Sequence, residues 1–422
     1  MQITIHRGSH EIGGTCIRIG TATTSILLDA GLPLNPNSKD LTTSDLVADA
    51  LVISHSHQDH CGLLDILPAN MPVYIGSVAK NLLNSTRTFL KRQALQNNFH
   101  HFQAWQPFSI GDITITPYLM DHSATDAYAF LVEADGKRAF YTGDFRGHGR
   151  KSVLFENLLE KPPGNIDLLL MEGTMLKRNN SAFPDEVHVE AAIIDILKEQ
   201  RNISFLISSS QNIDRIVSAY RACKSTGKTL VIDIYSAWVL EQLQSVSSSV
   251  PNIDWNRVKV AFDKTRTSAL FDPANRAQFG TFVDRAIRNR IKGEQLRADP
   301  DQYLMLLKMS FGRIIKSFAR QDAPVAVIYS QWQGYIEPLE GESQHIADMR
   351  AIKEGKYPGI TYNYAHTSGH APLDDLQRLV QAMKPAKLIP IHTEFPDRYK
   401  QLFGIGTVAT DGVPVDVQAV LP

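Results

Sequence analysis

The densest chemical signal in the sequence is Ser54-His55-Ser56-His57-Gln58-Asp59-His60, where three histidines and an aspartate crowd into six positions. Imidazole is the commonest neutral metal ligand, and zinc takes nitrogen and carboxylate oxygen at about 2.0–2.2 Å. In extended chain, residues two apart share a face, so His55 and His57 can grip one ion. A turn can then aim Asp59 and His60 at a second. Three further candidates follow strand-like runs: His122 after Ile113–Pro117, Asp144 after Arg138–Tyr141, and His392 after Lys387–Ile391. Taken singly, each reads as a hydrogen-bonded core histidine or a turn carboxylate; their common placement after strands turns them into ligands. Two metals about 3.5–4 Å apart clamp an in-line displacement and bring the pKa of bound water to about 7, so the chemistry is metal-assisted hydrolysis.

The elements that must position these residues are short strands closed by turns. Met1–His6, Cys16–Ile19, Ser25–Leu28, Ala50–Ile53, Pro72–Ile75, Ile113–Pro117, Ala127–Val132 and Arg138–Tyr141 carry strand patterns, and Ser77–Asn97 has helical spacing. Ile166–Met171 is a buried-looking strand that stops at Glu172. After about Ala182 the rhythm becomes helix Glu186–Glu199, strand Ile203–Ser208, helix Ile213–Thr226, strand Thr229–Ile234, which predicts a parallel sheet. A basic, mostly helical segment runs to about Arg320, then the strand Pro324–Tyr329. Near Thr361 the early style returns, with strand Ile360–Tyr364, helix Pro372–Met383 and strand Lys387–Ile391. The chain is expected to be α+β: a β-rich domain over residues 1–182 and 353–422, interrupted by an inserted α/β domain over 183–352.

Composition sets looser bounds. At 422 residues, with 43% hydrophobic and 21% charged, the chain is an ordinary globular protein of more than one domain. The net charge of −1 names no partner, but Arg257–Arg320 holds 14 Lys or Arg against 6 Asp or Glu, a local bias that suits a phosphate backbone. Phe262, Phe271, Phe279 and Phe282 in that stretch read as core rather than as base-stacking platforms. Three scattered cysteines exclude a disulfide framework, and Cys61, beside His60, reads as a small buried residue. The N-terminus has no apolar signal core, and no run reaches the roughly 20 apolar residues that span a bilayer. A soluble cytoplasmic protein without membrane contact is expected.

In sequence order, His55-x-His57-x-Asp59-His60, His122 and Asp144 resemble the metal motifs of the metallo-β-lactamase superfamily, and Asp29 resembles its early strand-end aspartate. Glu172, His370 in His366-Thr367-Ser368-Gly369-His370, and His392 resemble the additional motifs of the β-CASP branch, most closely its RNase J-type ribonucleases, over nearly the whole chain. The resemblance implies an αββα sandwich with an inserted β-CASP domain, two zinc ions replaceable by manganese, and RNA as partner. His55, His57 and His122 would hold one ion and Asp59, His60 and His392 the other. Asp144 would bridge, and Asp29 would support the site from behind. Asp59, Asp144, Glu172 and His370 would carry catalysis, with His366, Ser368, Gly369 and His370 toward the phosphate. A histidine at the position of His392 goes with the RNA enzymes of the branch, whereas its DNA enzymes tend to carry valine. The expected products carry 5′-phosphate and 3′-hydroxyl ends, by internal or 5′-terminal cutting. A hydrolase acting on DNA or a small ester, and an inactive RNA-binding scaffold, remain alternatives. Two features depart from the branch. The chain ends about 30 residues after His392, without the C-terminal domain usual in RNase J, which leaves monomer and homodimer both open; and Asp144–Arg150 is unusually basic.

Overall fold

A computed structural model describes residues 1–68, 70–178, 181–339 and 341–417. Two compact units divide the chain: Met1–Leu83, Ala94–Asn179 and Gly369–Pro422 form the first, and Asn84–Gln93 with Asn180–Ser368 the second.

The first unit is built on two sheets. One contains β1 (Gln2–Arg7), β2 (Cys16–Gly20), β3 (Ser25–Leu28), β4 (Ala50–Val52), β5 (Pro72–Tyr74), β6 (Asn98–His100) and β20 (Pro414–Asp416), in the order β20-β1-β2-β3-β4-β5-β6. The other contains β7 (Phe108–Ile110), β8 (Ile113–Met120), β9 (Ala127–Ala134), β10 (Lys137–Tyr141), β11 (Leu168–Glu172) and β19 (Lys387–Ile391), in the order β19-β11-β10-β9-β8-β7. Strand alternation sorts side chains to two faces. Ile26 and Leu28 of β3, Tyr128, Phe130 and Val132 of β9, and Leu168 and Leu170 of β11 meet in one core between the sheets. Leu27, Leu51 and Val73 pack outward with Leu64, Ala79 and Leu83, while Ala129, Leu131, Leu169 and Met171 pack outward with Phe155, Leu158, Leu376 and Leu379. Helices therefore cover both outer faces, giving the αββα sandwich with apolar residues on both faces of its strands.

The second unit is a wholly parallel sheet of β12 (Ser204–Ile207), β13 (Thr229–Asp233), β14 (Val258–Ala261), β15 (Arg290–Ile291), β16 (Tyr303–Leu307), β17 (Val325–Tyr329) and β18 (Ile360–Tyr364), ordered β15-β14-β13-β16-β12-β17-β18. Among the described residues, no helix is long and apolar enough to cross a membrane.

Three expectations need correction or completion. The helix from Ser77 ends at Phe89, not Asn97. Leu90 and Lys91 close it through bonds back to residues 86–88, with Lys91 at φ +56. The basic segment is mostly helical, as expected, but it also contains β14, β15 and β16, which the pattern does not show; short runs such as Val258–Ala261 lack the length that separates strand from helix by pattern. Finally, Ile360–Tyr364 pairs with β17 along its whole length, so it is an edge strand of the inserted sheet, and the return to the first unit comes at Gly369 rather than at residue 353.

A buried ion pair ties the second unit together. Arg215 and Glu186, 0% and 1% exposed, meet through Arg215 Nη2 to Glu186 Oε1 at 3.1 Å and Nε to Oε2 at 3.3 Å. Ser218 donates to the same carboxylate at 3.0 Å, and Arg215 Nη1 donates to the Ser330 carbonyl at 3.0 Å. Removing one partner strands the other charge away from water. Glu186→Ala is expected to lower the stability of this unit by about 3–5 kcal/mol in urea unfolding; a change below about 1 kcal/mol would show that water reaches Arg215.

Candidate functional site

The first unit brings the ends of six strands to one place. β3 and β4 are paired with Leu28 opposite Val52, so Asp29 and Ser54 emerge together. One helical turn, α1 (Gln58–Cys61), follows His57 directly and swings Asp59 and His60 back toward the strand end. β8 delivers His122, β10 delivers Asp144, and β11 beside β19, with Glu172 opposite Ile391, sets His392 one step beyond Glu172.

Asp144 lies at the centre. Its Oδ2 is 3.7 Å from His55 Nε2, 3.1 Å from His60 Nε2, 3.9 Å from His122 Nε2 and 3.8 Å from His370 Nδ1, and its Oδ1 is 3.8 Å from His392 Nδ1. His122 Nε2 lies 3.2 Å from His57 Nδ1, and His392 Nε2 lies 3.3 Å from Asp59 Oδ2. Two overlapping donor sets result: His55, His57, His122 and Asp144, and Asp59, His60, Asp144 and His392, each with ligand atoms within 4.8 Å of one another. A third set combines Asp144, Glu172, His370 and His392. His55 Nε2, His60 Nε2 and both Asp144 oxygens are buried without a hydrogen bond among the described residues. Buried polar atoms are normally paired, and atoms of these types facing one another are what a pair of divalent cations would satisfy, so the residues fit the zinc ions their chemistry suggests.

The charge states differ between the two sets. Burial, reinforced by neighbouring imidazoles, holds His55 and His122 well below the ordinary histidine range, and burial lowers His57 as well, leaving neutral rings able to bind metal. Burial alone would raise Asp144, but His392, His60 and His370 outweigh it and keep the carboxylate well below its usual range. Burial would likewise lower His60, yet Asp144, Asp29 and Asp59 lift it well above.

Around this centre stands a set of supports. Asp29, in left-handed backbone at φ +59, accepts from Ser54 N and Ser54 Oγ at 2.6 Å each and from Tyr141 at 2.5 Å, and its Oδ2 lies 2.7 Å from His60 Nδ1. A carboxylate on Nδ1 turns Nε2 toward the metal and raises its basicity. His122 donates from Nδ1 to the Gly369 carbonyl at 2.6 Å. A Cβ on Gly369 would stand 2.4 Å from Ser123 Oγ, so only glycine brings that carbonyl so close. Thr174 Oγ1 lies 2.9 Å from His392 Nδ1, and His392 itself is held at φ +50. Glu172 is buried, accepts from Phe145 N at 3.1 Å, and lies 3.0 Å from His370 Nδ1. Gly369 thus serves through its carbonyl. His366 and Ser368 belong to the second unit, where His366 Nδ1 lies 3.2 Å from the Ser330 carbonyl and 3.5 Å from Arg215. Sequence reading missed Ser54, Tyr141 and Thr174 as supports. The available signal was position: Ser54 directly precedes His55, and Tyr141 ends the strand that leads to Asp144.

Cys61 is buried, as are Phe279 and Phe282, whereas Phe271 is exposed. The basic segment is partly neutralised, because Arg266, Arg285, Lys316 and Arg320 pair with carboxylates.

His370 gives a test of the local field. Burial lowers it, but Glu172 and then Asp144 outweigh burial and push it up to about 9. A histidine raised in the fold above its free value of about 6.5 stabilises fully below that value and ceases to do so as pH rises through the folded value. The metal-free protein is therefore expected to lose stability between about pH 6.5 and 9, and Glu172→Gln to flatten that loss, measured as urea midpoints across the range. Identical slopes in the two proteins would remove Glu172 as the cause.

Comparison with known proteins agrees with this architecture. Residues 24–200 match the Beta-lactamase superfamily domain, and residues 361–407 match the Zn-dependent metallo-hydrolase RNA specificity domain. The chain is 22% identical to Ribonuclease J of Helicobacter pylori strain ATCC 700392 / 26695, over 98% of its own length but only 58% of that protein's. It is 26% identical to the RNase J-like protein of Methanocaldococcus jannaschii, over 95% of its own length and 93% of that protein's. A crystal structure of a protein of unknown function from Enterococcus faecalis V583 superposes with a TM-score of 0.75 at 20% identity, covering 98% of this chain and 99% of that one, and so shares the fold. Beside its sandwich, its inserted parallel sheet and its buried histidine–aspartate cluster, the chain thus carries a β-lactamase superfamily domain over residues 24–200 and an RNA specificity domain of Zn-dependent metallo-hydrolases over residues 361–407.

Proposed function

We propose that the protein is a ribonuclease that hydrolyses RNA phosphodiester bonds with two zinc ions and leaves 5′-phosphate and 3′-hydroxyl ends. The observation that carries this reading is Asp144, a buried carboxylate shared by two complete donor sets. The match of residues 361–407 to an RNA specificity domain, and the resemblance to relatives named Ribonuclease J, favour RNA over other phosphodiesters.

His55, His57 and His122 would hold one ion and Asp59, His60 and His392 the other, with Asp144 between them. When bound, such a pair activates water at neutral pH and offsets charge on the phosphoryl oxygens. The chain's own part is orientation and proton handling. Asp29, Thr174 and the Gly369 carbonyl fix the rings of His60, His392 and His122. His370 holds a proton on the ring whose Nδ1 faces Glu172, and its side chain keeps 21% of its surface exposed. His57, Asp59 and His370 are only half-buried, whereas His55, His60, His122, Asp144 and His392 are buried, so the partly exposed three mark the side from which a phosphodiester would approach. In this reading His370 contacts the scissile phosphate or protonates the leaving 3′-oxygen, a role of general acids that contributes about 10²–10⁴ in rate.

The test is cleavage of labelled RNA, DNA and an ester by the zinc- or manganese-loaded protein. RNA alone should be cut, with 5′-phosphate ends. Asp144→Ala should abolish cutting, and His370→Ala should lower kcat by about 10²–10⁴ while leaving bound metal unchanged. Intact RNA beside hydrolysed DNA or ester would overturn the substrate, and wild-type activity in Asp144→Ala would overturn the bridging role.

A further inference from the structure

Asp121 immediately precedes His122, and Arg146 stands two residues after Asp144. Both are 0% exposed. Arg146 Nε donates to Asp121 Oδ1 at 3.3 Å, and the Arg146 backbone N–H donates to the Asp121 carbonyl at 2.7 Å. This doubly made contact joins two loops that the sheet itself does not join, for β9 lies between β8 and β10. Ladder hydrogen bonds register each strand only with its neighbour. Beyond the strand ends, the ladder leaves the separation between the His122 and Asp144 side chains, 3.9 Å between Nε2 and Oδ2, to be set by something else.

The basic run after Asp144 is shaped around this contact. Gly149 lies so near the pair that a Cβ there would fall 2.4 Å from both Arg146 Nε and Asp121 Oδ2. Gly147 donates its N–H to Asp375 Oδ2 at 3.2 Å, and a Cβ on it would strike Phe155 and Asp375. The glycine alternation in Arg146–Gly149 thus lets the backbone fold over the guanidinium and exclude water. A charged pair inside a protein gives little net stability compared with apolar residues of the same volume. Its burial beside the donor cluster calls for another role, and rigid aim of the flanking ligands is the one its geometry serves.

We infer that Asp121 and Arg146 are a positioning pair: they set His122 against Asp144 and thereby tune the donor set that these two residues share with His55 and His57. This rests on the metal-centre reading above. Neither residue touches the substrate. Partners that orient metal ligands typically alter metal affinity or activity by about 10–100-fold when changed.

The decisive variant is the apolar exchange Asp121→Leu with Arg146→Met, which removes both charges of the pair together. Thermal unfolding of its metal-free form is expected to match the wild type within a few degrees. Its zinc affinity, measured by chelator competition, should fall about 10–100-fold, and kcat should fall with KM unchanged. Arg146→Lys keeps the charge and should recover part of the zinc affinity, which also provides the comparison should the double variant fail to fold. Wild-type zinc affinity in either variant, with the wild type itself binding two equivalents, would overturn the positioning role and leave the metal centre standing. A wild type that binds no metal would instead overturn the metal centre and the positioning role with it.

Discussion

Asp144 is the constraint on which the rest depends. A carboxylate buried at 2% exposure, with neither oxygen hydrogen-bonded among the described residues, is costly unless positive charge surrounds it. The protein supplies some of that charge through His60 and His370, both raised above the ordinary histidine range. It withholds the rest, since His55, His57 and His122 are driven toward neutrality by burial. The balance is that of a centre prepared for cations rather than one that closes on itself, and it explains why neutral and charged imidazoles stand side by side.

Strand ends are the natural means of assembling such a centre. A strand held in a ladder on both sides ends at a defined point, and the first residue beyond it inherits that definition. Asp29 follows β3, Asp144 closely follows β10 and His122 closely follows β8, strands all held on both sides, while His392 follows the edge strand β19, which pairs with β11 alone. Two of these, Asp29 and His392, sit in left-handed backbone without being glycine. Such conformations cost about 1–3 kcal/mol each and persist where the surroundings over-determine them. Here the surroundings are visible: three donors and the His60 ring converge on Asp29, and Thr174 engages His392.

How much of this is legible in the sequence follows from the range of the signals. The cluster from His55 to His60 announces itself because its ligands are contiguous. His122, Asp144 and His392 become legible only through the rule that ligands follow strands. The sandwich is legible because β3, β9 and β11 alternate between two apolar faces. The inserted sheet is legible where strands and helices alternate regularly, but β14, β15 and β16 are too short to be separated from a helical background, and Ile360–Tyr364 resembles the strands of either unit. What decides its allegiance is pairing with β17, a contact the sequence does not display. Ser54, Tyr141, Thr174, Asp121 and Arg146 escape for a related reason. They are common residue types whose importance lies wholly in what they face.

Exposure adds direction to the centre. His55, His60, His122, Asp144 and His392 are shut away from solvent, whereas His57, Asp59 and His370 are partly open to it. Of these, His370 alone is linked to a second buried carboxylate, Glu172, which in turn accepts the N–H of Phe145, the residue after Asp144. The chain from Asp144 to Phe145 to Glu172 to His370 therefore runs from the most buried part of the cluster to its open side through consecutive backbone and hydrogen bonds. A displacement of Asp144 would be felt at the His370 ring. That makes His370 the outer end of the same construction that holds the central carboxylate, and it accounts for a buried glutamate that belongs to neither of the two principal donor sets.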